Sequence, residues 1–442
     1  MIKFFRAFTV SLLSLAASAA MAQTSTATTS SPYSKYGLGN IVQPWMPQNI
    51  AMGGVSTATN AINGYSNVNL INPAANAYIN ITTIDIGMAA SFITLNKTGA
   101  ASQSNSNFNL SHVVFGIPIT RHSALSFGLT PYTQLGYNYK QTLDHGFGTS
   151  SPADTNVVNY IYSGDGGLSK AFLGYGFNIG RHLSVGGNVS YIFGNLIQYS
   201  STELPNLYGA FNTRQQQNNT VGGVNYDFGL QYTIPFSEDN RLTLGYSGSA
   251  GTKLNSQTTF TATQYQTDYT TNDEGTPLDT LVNNQGPETK IKLPQINHFG
   301  VAYQADRKFL IGADYSIGKW SSLTIGGVNQ GLQNSNSLSV GGQFNPNSNS
   351  ISSYWDVVDY RLGAHFDNTD VVINNQSIKQ YGVTFGLGLP LLRNGTSFYK
   401  VNITGEYGKR GTLNNSLIKE SYFNLHLSFT LNDRWFNRPK FD

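Results

Sequence analysis

The sequence predicts an all-β chain closed into a transmembrane antiparallel β-barrel of 14 strands, with an N-terminal plug or hatch in its lumen. Three observations predict it. Apolar and polar residues alternate with period two along most of the chain, the signature of strands with two different faces. Charged residues make up only 11%, while Gly (46), Tyr (26) and Phe (25) are abundant. That charged share is under half the ~25% of ordinary soluble domains. Aromatic, glycine and uncharged polar residues together suit strands with one face in lipid and the other in a wet lumen.

The third observation is an export leader. Lys3 and Arg6 form a basic start, Val10 to Ala20 is a short run of apolar and small residues, and Ala20-Met21-Ala22 offers a small-x-small cleavage site. The run is shorter than the ~20 apolar residues of a membrane-spanning helix. Residues 1–22 are therefore read as a signal peptide, and the absence of cysteine excludes a lipoprotein anchor, disulfides and thiol chemistry. The formal charge of +3 carries no basic block, so nucleic acid is not an expected partner.

Alternation places the strands. One face of the third carries Leu125, Phe127, Leu129, Pro131, Thr133, Leu135 and Tyr137, the other Ser126, Gly128, Thr130, Tyr132 and Gln134. Val224, Tyr226, Phe228, Leu230 and Tyr232 oppose Asn225, Asp227, Gly229 and Gln231 further on, and Phe423, Leu425, Leu427 and Phe429 oppose Asn424, His426 and Ser428 near the end. The expected strands are 81–95, 106–118, 122–140, 167–180, 182–195, 221–236, 240–252, 290–304, 308–319, 335–344, 354–366, 377–390, 397–409 and 420–432. An even number lets the barrel start and end on one side. Odd-to-even links are long (141–166, 196–220 and 253–289 above all) and even-to-odd links mostly tight, as at Thr120-Arg121 and Gly180-Arg181, with one longer turn near 345–353. Outer-membrane barrels have short periplasmic turns and longer outer loops. Both termini are accordingly expected in the periplasm of a Gram-negative cell.

Residues 23–80 do not alternate. Gly-Gly and Asn-Pro turn signals with a few apolar anchors (Trp45, Met46, Ile50) favour compact loops folded into the lumen over a solvated leader. The barrel then occupies 81–432. Residues 433–442, with Trp435-Phe436 and basic neighbours, read either as a frayed periplasmic tail with an interfacial tryptophan or as a docking tail.

Two stretches resemble the FadL-type long-chain fatty-acid transporters. Met52-Gly53-Gly54 and Asn72-Pro73-Ala74, just before the first strand, look like that family's hatch motif, and Leu293-Pro294, Gly300 to Tyr303, Asp314-Tyr315 and Trp320-Ser321 look like one of its hairpins. Ser31 to Gly39, Gly164 to Ser169, Tyr381 to Pro390, Tyr407 to Gly411 and Asn432 to Phe436 are similar to FadL-like outer-membrane proteins of Bacteroidota. The resemblance implies the barrel with its hatch. It leaves two jobs open, because some such barrels take up hydrophobic molecules whereas PorV-like relatives partner protein-export machinery.

Nothing points to catalysis. The seven histidines (112, 122, 145, 182, 298, 365 and 426) show no metal-ligand spacing, and Gly164-Asp165-Gly166-Gly167 lacks the strand-to-helix context of a phosphate loop. No cofactor, metal site or catalytic residue is expected. Asp227, Asp314, Arg361, Lys400 and Glu406 fall on the lumen register, since a charge facing lipid costs up to ~2–4 kcal/mol at mid-bilayer. They form either a paired network bracing the barrel against its plug or the lining of a polar passage. Tyr132, Phe172 and Ile192 share that register as apolar residues.

Two functions from different classes follow. The first is a channel passing hydrophobic small molecules, its plug blocking free diffusion and a gap in the wall releasing an apolar ligand sideways into lipid. The second is a non-transporting scaffold in a protein-export or assembly complex, docking through its outer loops or tail. Outer-membrane lipids are partners in either case, with a hydrophobic ligand in the lumen in the first.

Overall fold

The computed structural model describes residues 29–60, 65–143, 156–207, 209–268, 273–305, 308–391 and 397–434. The expected signal peptide, residues 435–442 of the expected tail and residues 144–155 of the expected 141–166 link lie outside them.

Fourteen antiparallel strands form one closed ring: β1 (Thr82–Lys97), β2 (Gln103–Thr120), β3 (Ser123–Leu143), β4 (Val158–Ile179), β5 (Leu183–Glu203), β6 (Asn212–Pro235), β7 (Asn240–Ser249 continued by Lys253–Asp268), β8 (Asp273–Lys292 continued by Ile296–Ala305), β9 (Phe309–Gly318), β10 (Ser335–Phe344), β11 (Asp359–Ile373), β12 (Gln376–Pro390), β13 (Phe398–Gly411) and β14 (Ile418–Asp433). Closure comes from β14 on β1, with Asp433 opposite Thr82 and Ile418 opposite Lys97. Closing the ring pairs the first strand with the last and so removes the free edges of an open sheet, whose unpaired backbone groups would cost several kcal/mol each in lipid.

The outward side chains explain why this ring lies in the outer membrane. Leu173, Tyr175 and Phe177 on β4, and Tyr226, Phe228 and Leu230 on β6, are exposed apolar residues on the face opposite buried or polar neighbours. A soluble protein would leave this belt in water.

Several expectations are corrected. Much of 141–166, 196–220 and 253–289, expected as outer loops, is strand. β6 has 24 residues, about twice the 9–11 that cross a bilayer. Segments such as Gln215–Asn219 are polar on both faces, so no alternation marks them, yet Gln198, Tyr199 and Ser200 of β5 pair with Gln217, Gln216 and Gln215. The expected 367–376 link shrinks to a two-residue turn at Asn374-Asn375, both at positive φ, as tight hairpins require. Residues 354–357 form a 3-10 turn before β11.

Register is corrected in β3. A bulge falls where Pro131 faces Ser169 but Thr133 already faces Leu168. One inserted residue flips every later side chain to the other face. Leu135 and Tyr137, expected toward lipid, are buried inside.

Candidate functional site

Residues 29–60 and 65–81 run inside the barrel. The path begins at the barrel end that holds Ile418, where Ser34 Oγ donates to the Gly136 carbonyl at 3.0 Å and Ser31 Oγ to Glu420 at 2.5 Å. Tyr33 is buried there, its hydroxyl on the Ile418 carbonyl. Burial, with Glu420 adding to it, pushes this phenol up to about 12, so it stays a neutral donor. The chain then descends to Ser66, whose backbone N–H donates to Asn432 at 3.1 Å near the end that holds Asp433. Thr29 therefore lies at the end opposite Asp433. The N- and C-terminal residues themselves, expected in the periplasm, lie outside the described residues.

Glycines of the wall make room for the descending backbone. A Cβ on Gly363 would stand 2.2 Å from the Gly53 nitrogen, and one on Gly341 2.3 Å from the Met52 carbonyl oxygen. Gly176 and Gly186 seat Pro73 in the same way, at 2.6 and 2.5 Å from its carbonyl oxygen. The turn itself needs glycine: Gly53 (φ 71°) and Gly54 (φ 96°) are left-handed. Met52 is fully buried with Val55 and Leu310. Asn72 caps the 3-10 turn Pro73–Tyr78, accepting from the Ala74 N–H at 3.1 Å and donating to the Thr57 carbonyl at 2.7 Å. Ala74 is completely covered. The six hatch residues thus lie at two points where the segment meets the wall.

The five inward charges divide. Asp314 Oδ2 accepts from the backbone N–H groups of Ser56 (2.8 Å) and Thr57 (2.7 Å), tying wall to segment. Asp227 pairs with Lys170 at 2.6 Å. Lys400 and Arg361 share Asp359, at 2.6 and 3.1 Å, and Lys400 lies 3.4 Å from the centre of the Tyr65 ring. Glu406 meets His365 at 3.1 Å, and His365 meets Asp367 at 2.7 Å. Each of the five has a partner, two of them in the N-terminal segment.

Of the apolar residues expected inward, Tyr132 and Ile192 meet in one cluster with Leu38, Leu168, Trp320 and Leu323. Here the 319–334 link folds over the lumen. Phe172 lies in a separate cluster with Met46, Val68 and Ile79.

The wall itself is interrupted. The β2–β3 ladder runs from Thr120–Ser123 only as far as Val113–Leu129. Above it, Gln103–His112 and Thr130–Leu143 are not paired with each other. The N-terminal segment supplies partners instead: Asn40 and Ile41 pair with Gln134 and Thr133, Val42 N–H donates to the Tyr132 carbonyl at 3.0 Å, and Ser30 bonds Asn107 on the β2 side. Such substitution is required at membrane depth, where bare backbone is not tolerated.

A cavity of about 210 Å³ lies at this seam. Leu110, exposed on the lipid side, and His112 and His426, on the lumen side, all line it, so it spans the wall. Trp45, Ile50 and Leu70 of the N-terminal segment and Pro131 of β3 supply apolar surface; Ser91, Asn109, Gln134 and Asn424 supply polar surface. Among the described residues no three of His, Asp and Glu gather to hold a metal.

The histidines here were not singled out in the sequence, although alternation had put His426 on the polar face of β14. Scattered in sequence, His112 and His426 face one cavity, with His365 beside Trp45 (ring centres 6.2 Å apart). Only ring closure brings β2, β11 and β14 together.

Comparison with known proteins places this geometry. The chain matches the family model described as BamG over residues 1–442 and belongs to that family. No curated protein sequence matches. Among solved structures, the Pseudomonas putida toluene transporter TodX is similar at TM-score 0.57 and 14% identity, over 89% of this chain and 99% of that one. The Ralstonia pickettii toluene transporter TbuX is similar at 0.56 and 15%, over 88% and 98%. A Pseudomonas aeruginosa FadL homologue is similar at 0.55 and 12%, over 90% and 100%. At these identities the likeness establishes the fold, a FadL-like outer-membrane barrel.

Proposed function

We propose that the barrel passes small apolar molecules, the N-terminal segment acting as its plug and the β2–β3 seam as a lateral door to the bilayer. The observation that carries this reading is the cavity at the seam, reached by both lipid-facing Leu110 and lumen-facing His426. A door between strands is costly unless its backbone groups are satisfied, and here Asn40 to Val42 satisfy part of the β3 side. The apolar cluster under the 319–334 link lines the outer lumen above it. The solved barrels of this fold include toluene transporters, which agrees with the reading. In it the tight turns and Asp433 face the periplasm.

Ala89 tests it. It lines the cavity and pairs with His426 across β1 and β14, so Ala89→Trp fills the space. Cells making this variant should take up labelled toluene at the rate of cells lacking the barrel, while the variant still shows heat-modifiable migration. Uptake equal to that of the unaltered protein would refute passage through the seam.

A docking role has its own observation. Leu278, Leu281 and Val282 are 57, 51 and 42% exposed on the long outer part of β8, well beyond the bilayer. Purification from native membranes separates the readings: a stoichiometric protein partner lost on Leu278→Ser/Leu281→Ser favours docking, and a partner-free barrel disfavours it.

A further inference from the structure

The seam cavity contains a polar feature that passage of bare hydrocarbons does not use. Both ring nitrogens of His426 are buried and have no hydrogen-bond partner. Several polar groups nearby are engaged. His112 Nε2 bonds Asp85 at 2.8 Å and its Nδ1 bonds Ser111 at 3.1 Å. Glu406 is held by His365, and Asn424 by Ser91 at 2.6 Å. Room for the His112 ring is itself provided: a Cβ on Gly87 would stand 2.3 Å from it. Covered ring nitrogens left without partners give up the hydrogen bonds that water would offer them, so this ring is set to receive something.

We propose that His426 is the head-group site of the seam cavity, and that the preferred cargo is a neutral, one-ring-sized molecule bearing a hydroxyl. This rests on the passage reading and narrows its substrate class. Size comes from volume: an apolar cavity of ~150 Å³ holds benzene, and about 210 Å³ holds one ring with a small substituent. Charge comes from the surroundings. Asp85 pairs with His112 at 2.8 Å and the Glu406 carboxylate acts on His426, which disfavours an anionic head. Chemistry comes from the ring, because neutral imidazole offers one donor and one acceptor, and a hydroxyl answers either. Trp45, Ile50 and Pro131 receive the apolar body.

The test compares p-cresol with p-xylene, which differ by a hydroxyl in place of a methyl. The full-length protein in nanodiscs is titrated with each, following fluorescence of Trp45 in a Trp320→Phe/Trp355→Phe/Trp435→Phe background. One net hydrogen bond is worth about twofold to tenfold in affinity, so p-cresol should bind tighter by that factor. His426→Leu should bring p-cresol down to the p-xylene level and leave p-xylene unchanged. Equal binding of the two probes by the unaltered protein overturns the head-group assignment, as does a His426→Leu variant that keeps the preference. Bound water alone at His426, with neither probe entering, also overturns it. Toluene uptake by cells is scored separately: uptake lost in Ala89→Trp while the probe preference is absent rejects this inference and leaves passage standing, whereas uptake retained in Ala89→Trp rejects passage through the seam.

Discussion

Asp314→Ala should release the N-terminal segment from the wall without opening the barrel. One carboxylate oxygen of Asp314 accepts from two backbone N–H groups, Ser56 at 2.8 Å and Thr57 at 2.7 Å, in a buried setting. Hydrogen bonds to a charged group contribute about 1.5–3 kcal/mol each, so the pair contributes ~3–6 kcal/mol to local seating. At about 1.4 kcal/mol per tenfold, exchange of these two amides should quicken by roughly a hundredfold to ten-thousandfold. Asp314→Asn is the graded control. Its carbonyl can occupy the position of the bonded oxygen while its NH₂ replaces Oδ1, which has no partner. Neutral bonds are about half as strong as charge-assisted ones, so the loss should be about half as large on a free-energy scale. Hydrogen–deuterium exchange on the folded protein in detergent, resolved to the peptide holding Ser56 and Thr57, is the assay. Heat-modifiable migration confirms that the barrel is intact. Unchanged exchange at these amides in a folded Asp314→Ala variant would refute the reasoning.

Two further outcomes are expected. Gly363→Ala would place a Cβ 2.2 Å from the Gly53 nitrogen, an overpacking that costs about 1–3 kcal/mol; limited proteolysis should then cleave near Met52 in the variant and spare the unaltered protein. In the Lys400–Asp359–Arg361 group, Asp359→Ala strands two buried cations and should cost about 3–5 kcal/mol. Lys400→Met leaves Arg361 on the carboxylate and should cost less. The temperature at which each variant changes gel migration should fall further for Asp359→Ala, and the reverse order would contradict the pairing.

The sequence by itself determined the container. Lipid on one face and water or packed segment on the other impose period two, so β6 and β14 were legible residue by residue, and the inward place of Asp227, Asp314, Arg361, Lys400 and Glu406 followed from the cost of a charge in hydrocarbon. Alternation stops where both faces meet water, which hid the outer reaches of β4 to β8. It also cannot register a one-residue insertion, so the bulge at Tyr132 concealed the inward turn of Leu135 and Tyr137. Only the tertiary structure decided what the wall encloses. The end of the β2–β3 ladder at Val113 and Leu129, the strand supplied by Asn40 and Ile41, and the meeting of His112 with His426 all depend on contacts between residues far apart in the chain. Period two records which way a side chain points, and says nothing about what stands opposite it across the lumen.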